Sequence, residues 1–117
     1  MKAIIAGSRR IYKDNTVNFI QEIVDKSGFN IEILVCGMAH GVDMMAHFWA
    51  RETGIPIKEF PADWDKYGKS AGPIRNQEML KYADALIAIW DGESKGTKHM
   101  ISIAKKKGIK VFIYDYK

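Results

Sequence analysis

A three-layer α/β/α architecture around a mainly parallel, five-stranded sheet is predicted by two features of this 117-residue chain. Five short apolar runs rich in β-branched residues recur along it, and the segments between them carry helical spacing or helix boundary signals. Such alternation packs helices on both faces of a parallel sheet through right-handed crossovers. The run ALIAIW fits a strand buried on both sides, where polar alternation is not expected. The expected fold is therefore Rossmann-like, with strand order 3-2-1-4-5.

The first strand is KAIIA, Lys2 to Ala6, and the helix after it places Val17, Ile20, Ile23 and Val24 on one face. Asp14 or Asn15 can cap its start, and Gly28 ends it. The second strand is IEILVC, Ile31 to Cys36, and its helix aligns Val42, Met45, Ala46 and Trp49 before stopping at Gly54. IKEF, Ile57 to Phe60, is the third strand. The third helix is expected from Pro73, whose missing N–H suits the first helical position, to about Tyr82; its apolar stripe is the weakest. ALIAIW, Ala85 to Trp90, is the fourth strand; a helix carrying Met100, Ile101 and Ala104 closes at Gly108 before the last strand, KVFIY, Lys110 to Tyr114.

With 47% hydrophobic and 27% charged residues, the composition is that of one globular domain spanning residues 1–117, with no repeats or linker-like stretches. No apolar stretch approaches the roughly 20 residues that span a bilayer, and the start MKAIIAGSRR turns polar too soon for a secretory signal, so a cytoplasmic protein without a membrane partner is expected. Cys36 is the single cysteine and reads as a small buried residue at a strand end. His40, His47 and His99 show no metal-ligand spacing, so no metal is expected, and no cofactor is called for. The formal charge of +4 favours anionic partners in a general way; much of it comes from Lys105, Lys106, Lys107 and Lys110, which fit either a solvated helix end or an anion-binding surface.

In open α/β sheets, ligands sit beyond the carboxyl ends of the strands where the strand order reverses. The loops there are GSRR (Gly7 to Arg10), GMAHG (Gly37 to Gly41), PADWDKYGKSAG (Pro61 to Gly72) and DGESKG (Asp91 to Gly96), and the first and last should flank one crevice. Gly7, Gly37, Gly41, Gly92 and Gly96 serve either as turn residues or as places where peptide N–H groups approach a phosphate. Arg75 is expected in the first turn of the third helix, where a cation opposes the helix dipole unless an anion is bound; Arg9 and Arg10 repel each other on similar terms. Asp43 reads either as a helix cap or as a ligand contact, and Trp64 and Tyr67 either stack on a base, lid the pocket or tuck under their loop.

Taken together, GSRR, GMAHGVDMMAHFWA, PADWDKYGKSAGPIRNQEM and YADALIAIWDGESKGT resemble the SLOG superfamily, and within it the short bacterial and phage proteins related to YspA and YpsA. The resemblance implies a Rossmann-like fold and a nucleotide or nucleotide-derived ligand. It also implies relatives of two other kinds: LOG enzymes, which hydrolyse the N-glycosidic bond of nucleoside monophosphates, and DprA-type proteins, which bind single-stranded DNA. Arg75, Met79, Ala83, Asp84, Gly96 and Thr97 occupy LOG motif positions, whereas the position of the LOG catalytic glutamate holds Met100. A thioether cannot stabilise the oxocarbenium-like state of ribosyl cleavage as a carboxylate does. Glu93, Asp91 or Asp43 would have to supply that carboxylate from elsewhere.

The leading expectation is thus a binder of a small nucleotide-derived ligand that senses or sequesters it. In this reading Gly7, Ser8, Gly92, Ser94, Gly96 and Thr97 offer hydrogen bonds from Asp91 onward and from the first loop, Arg9 and Arg75 meet phosphate, and Gly37, Gly41 and Asp43 line the other wall. Lys69 and Ser70 close over the ligand, and Asn76 completes the set beside Arg75. A nucleotide-processing hydrolase is the first alternative and a single-stranded nucleic-acid binder the second. A homodimer remains open.

Overall fold

The computed structural model describes residues 1–116. Its sheet holds β1 (Lys2–Gly7), β2 (Ile33–Cys36), β3 (Ile57–Glu59), β4 (Ala85–Trp90) and β5 (Lys110–Asp115), all parallel, in the order β3-β2-β1-β4-β5. This is the fold and order that the alternation of runs predicts. Ala3, Ile4 and Ile5 on β1 and Ala85 to Ile89 on β4 are buried, as a central strand covered on both faces requires.

Two helices cover one face: α1 (Thr16–Ser27) and α2 (Val42–Thr53), whose Ile20, Ile23, Met45 and Trp49 pack against Ile5, Leu34 and Ile87. On the other face Met79 and Leu80 of α4 (Ala71–Tyr82) and Met100, Ile101 and Ala104 of α5 (Lys95–Lys107) pack on Ile4, Val35, Leu86 and Ala88. Gly28, Gly54 and Gly108 end α1, α2 and α5 in the left-handed conformation, where glycine carries no Cβ penalty.

Several boundaries differ from expectation for local reasons. Asn15 is the cap residue of α1 but makes no side-chain cap bond; Thr16 Oγ1 instead donates to Lys13 O at 2.7 Å. The third interstrand loop contains a one-turn helix, α3 (Trp64–Tyr67), capped by Asp63 Oδ1 accepting from Lys66 N, followed by a 3-10 turn at Gly68–Ser70. That turn feeds directly into α4, which therefore starts at Ala71 and not at Pro73. Pro73 is its third residue, still within the turn whose N–H groups lack intrahelical acceptors.

Asp84, shared with the LOG motif, acts far from the site. It accepts from Lys2 N at 2.9 Å while its own N–H donates to Lys2 O, so it pins the starts of β1 and β4 together at the opposite edge of the sheet.

Candidate functional site

A cavity of about 720 Å³ lies beyond the carboxyl ends of β1 and β4, where the strand order reverses. The N-terminal ends of α2, α4 and α5 all face it, through Asp43 and the preceding Ala39, through Gly72 and Pro73, and through Lys95, Gly96 and Thr97. Helix N-termini carry partial positive charge, and Arg9, Arg10 and Arg75 add full charges. The arrangement can hold an anion.

The β2–α2 wall is tightly determined. Gly37 separates two side chains that nearly meet over it: a Cβ there would lie 2.7 Å from an Arg75 guanidinium nitrogen and 2.8 Å from Asp43 Oδ2. Gly41 has φ +75° and ψ −127°, and its Cβ would lie 2.5 Å from Ser8 O and 2.6 Å from Arg9 O. Met38 holds φ +61°, uncommon for a residue with a side chain. The turn is kept in place from inside, because Asp43 Oδ2 accepts from Ala39 N at 3.2 Å. Asp43 therefore ties down the loop before its helix and does not cap the helix itself.

Asp43 is only 4% exposed, and its carboxyl is pushed up to about 6, first by burial, against the opposing pull of the Ala39 N–H and of Arg75 and Arg9. Burial also pushes the neighbouring Cys36 thiol up to about 12, as an inert core cysteine requires.

Arg75 lies in the second turn of α4, because the helix begins two residues earlier than the sequence suggests. The dipole argument for it accordingly weakens. Arg75 is held instead by two hydrogen bonds, one guanidinium N–H donating to Gly37 O and Nε–H donating to Asn76 Oδ1 at 3.0 Å. Burial disfavours its charged form and Asp43 favours it.

The β4–α5 wall is built differently. Asp91 Oδ1 accepts from Glu93 N at 2.8 Å and Ser94 N at 2.9 Å, which folds DGES into a turn and lowers the Asp91 pKa through those two N–H groups, Ser94 first. Ser94 caps α5: its Oγ accepts from Thr97 N at 3.3 Å and lies 3.0 Å from Thr97 Oγ1. One hydrogen bond joins these two hydroxyls, both expected to meet a ligand, so one of their two hydrogens is already engaged.

What remains open are the amides of Lys95 and Gly96, which have no hydrogen-bond partner among the described residues. Gly96 lies inside a helix, its φ is not positive, and a Cβ there would meet nothing within 4 Å. Nothing in the fold needs a glycine at that position.

The two walls meet through Ser8, which is buried. Its Oγ accepts from Asp91 N at 3.4 Å, its carbonyl accepts from Val42 N and Ile11 N, and its N–H donates to Ile89 O. Gly7 beside it is equally structural, since a Cβ would run into Ile89 O and Val42. Arg9 is exposed at the rim, its guanidinium carbon 5.6 Å from the ring centroid of Trp64, which is 49% exposed.

Of the expected site residues, the cavity lining brings together Gly7, Ser8, Arg9, Asp43, Arg75, Asn76, Asp91, Ser94, Gly96 and Thr97. It does not include Gly37, Gly41, Gly92, Lys69 or Ser70. Gly37 and Gly41 lie behind it as packing positions, Gly92 (φ +83°) forms the turn, and Lys69 and Ser70 sit exposed in the 3-10 turn. Trp64, one of whose three expected placements was over the pocket, lines the rim, whereas Tyr67 does not reach the lining.

His99 and Lys95 line the cavity although the sequence does not single them out. The signal for His99 was present: it follows Gly96 by three residues and so shares its helix face. Met100 is 1% exposed and packs into the α4–α5 core while forming part of the cavity floor.

Fold and crevice define a doubly wound, Rossmann-like α/β protein with its candidate site at the topological switch point. The chain belongs to the YspA, cpYpsA-related SLOG family (YAcAr), whose model matches residues 1–67. Gene 61 protein of Mycobacterium phage D29 is 33% identical over 125 residues, covering 100% of this chain and 99% of the phage protein. DNA processing protein A (DprA) from Streptococcus pneumoniae shares the fold, with a TM-score of 0.76 at 18% identity. The alignment covers 99% of this chain and 50% of that one. Among the described residues no helix is long and apolar enough to cross a membrane.

Proposed function

We propose that residues 1–117 act as one nucleotide-binding domain, which senses or sequesters a small nucleotide-derived ligand in the crevice between β1 and β4. The observation that carries this reading is Gly96. Gly96 is the second residue of α5; a glycine within a helix is destabilising relative to alanine by up to roughly 0.5–1 kcal/mol, less in the first turn than in the interior, and here no contact or backbone angle offsets that cost. It is accounted for if a ligand group lies against the bare backbone, taking the free amides of Lys95 and Gly96 and the charge of Arg9.

Calorimetry against mono-, di- and cyclic nucleotides and ADP-ribose tests the reading. Micromolar binding of one of them, weakened about tenfold or more by Arg9→Ala, supports it. No binding by the wild type, or equal binding by the variant, contradicts it. The hydrolase alternative draws on Asp43, Asp91 and Glu93, which line the same cavity; base released from nucleoside monophosphates would register as a new chromatographic peak.

Single-stranded nucleic acid is a second reading, favoured by two exposed aromatic rings beside cations, Trp64 by Arg9 and Tyr67 by Lys66. DprA is described as a DNA processing protein, which agrees with it. An affinity that falls steeply with salt would support this reading, and a flat response excludes it.

A further inference from the structure

We propose that His99 is a specificity-determining residue of this crevice, presenting Nε2–H as a neutral hydrogen-bond donor to an acceptor on the ligand, with Asn76 as its positioning residue. The proposal rests on the crevice being a nucleotide site. It names what that site reads beyond the first phosphate.

A chain of hydrogen bonds fixes the proton. Arg75 Nε has only a hydrogen to give, so the Asn76 atom 3.0 Å from it must be the amide oxygen. That turns Asn76 Nδ2, which can only donate, toward His99 Nδ1 at 3.4 Å. Nδ1 must therefore bring a lone pair, and the neutral ring carries its proton on Nε2. Asn76 is 7% exposed, and flipping its amide would set two donors against each other at Arg75.

His99 Nε2 has no partner among the described residues, and no buried side-chain nitrogen or oxygen among them is left unpaired, so this nitrogen stays accessible. The ring lines the crevice, as do Met79 and Met100. A donor in a crevice partly floored by thioethers adds direction without charge.

Position also separates His99 from the anion end. Three residues at a rise of about 1.5 Å each place it roughly one turn along α5 from Gly96. A phosphate held on the Lys95 and Gly96 amides lies at the other end of that turn, so His99 reads a part of the ligand extending from the phosphate toward α4. Inorganic phosphate alone does not reach it; AMP or ADP-ribose does.

The test has a ligand-free arm and a ligand arm. Long-range ¹⁵N–¹H spectra of the free protein at neutral pH should show His99 as the Nε2–H tautomer. In Asn76→Asp, whose carboxylate accepts from the ring, the proton should move to Nδ1. An Nδ1–H ring in the wild type, or a tautomer indifferent to Asn76→Asp, overturns the proposal. In calorimetry with AMP and ADP-ribose, His99→Leu should weaken binding about tenfold, the loss of one well-placed hydrogen bond. His99→Gln, whose side-chain amide nitrogen reaches a similar point, should restore it to within about threefold, and neither variant should alter binding of inorganic phosphate. Equal affinity of His99→Leu and wild type for both nucleotides overturns the proposal and leaves the crevice reading standing. Failure of the wild type to bind either nucleotide overturns this proposal, and failure across the mono-, di- and cyclic nucleotides as well overturns both.

Discussion

The two walls of the crevice use glycine for opposite reasons. On the β2–α2 wall, Gly37 and Gly41 have neighbours within 3 Å of where a Cβ would sit, and Gly41 holds a backbone conformation that side chains avoid. On the β4–α5 wall, Gly96 has ordinary helical geometry and open space around it. A glycine that the fold requires says little about ligands. One that the fold does not require marks where something else comes close.

Substituting both walls should separate them sharply. Gly41→Ala drives a methyl into Ser8 O and Arg9 O and adds backbone strain, so it should destabilise the protein by about 3 kcal/mol or more, read as a lower midpoint in urea. A loss under about 1 kcal/mol would show that the wall yields more readily than its contacts imply.

Asp43 comes next. Its carboxyl is raised to about 6 from an ordinary 3.8, so the native state holds that proton more tightly than the unfolded chain does. Its contribution to stability is therefore fully present below about pH 4, falls as pH rises through the window between about 4 and 6, and levels off above it. Asp43→Asn keeps an oxygen for Ala39 N and has no charge to bury, so it should flatten that slope, with a gain at pH 7.5 of up to roughly 3 kcal/mol. Equal pH dependence of wild type and variant between pH 4 and 6 would refute the assignment.

On the other wall the sign reverses for a different reason. Gly96→Ala should raise stability by up to roughly 0.5–1 kcal/mol, because the methyl meets nothing and the first turn of α5 gains propensity. The smallest effect is expected at Lys69 and Ser70: both are exposed and outside the lining, so Lys69→Ala with Ser70→Ala should change nucleotide affinity by less than about twofold and stability by less than about 0.5 kcal/mol.

How much of this was legible in the sequence follows the range of the interactions. Strand positions and their order were readable, because continuous apolar runs such as Ala85 to Trp90 and the alternation with helices are local patterns that leave few topologies. The one-turn α3 was not, since four residues with no buried side chain leave no periodic stripe. Its absence from the sequence pattern also displaced the start of α4 and with it the turn assigned to Arg75.

The roles of the glycines were hidden for another reason. What crowds Gly37 is Arg75, 38 residues away in sequence, and what crowds Gly41 is the Ser8–Arg9 backbone. Only the folded chain brings them together. Ser94 and Thr97 were located at the right helix end, but the sequence could not show that their hydroxyls would hydrogen-bond to each other.

The central claim is that Gly96 is kept bare for a ligand and not for the fold. The direct measurement is nucleotide affinity of Gly96→Ala by calorimetry beside its thermal midpoint, using whichever of AMP and ADP-ribose the wild type binds. The account predicts a more stable protein that binds at least about tenfold more weakly. A variant that gains stability and binds as tightly as the wild type would contradict it.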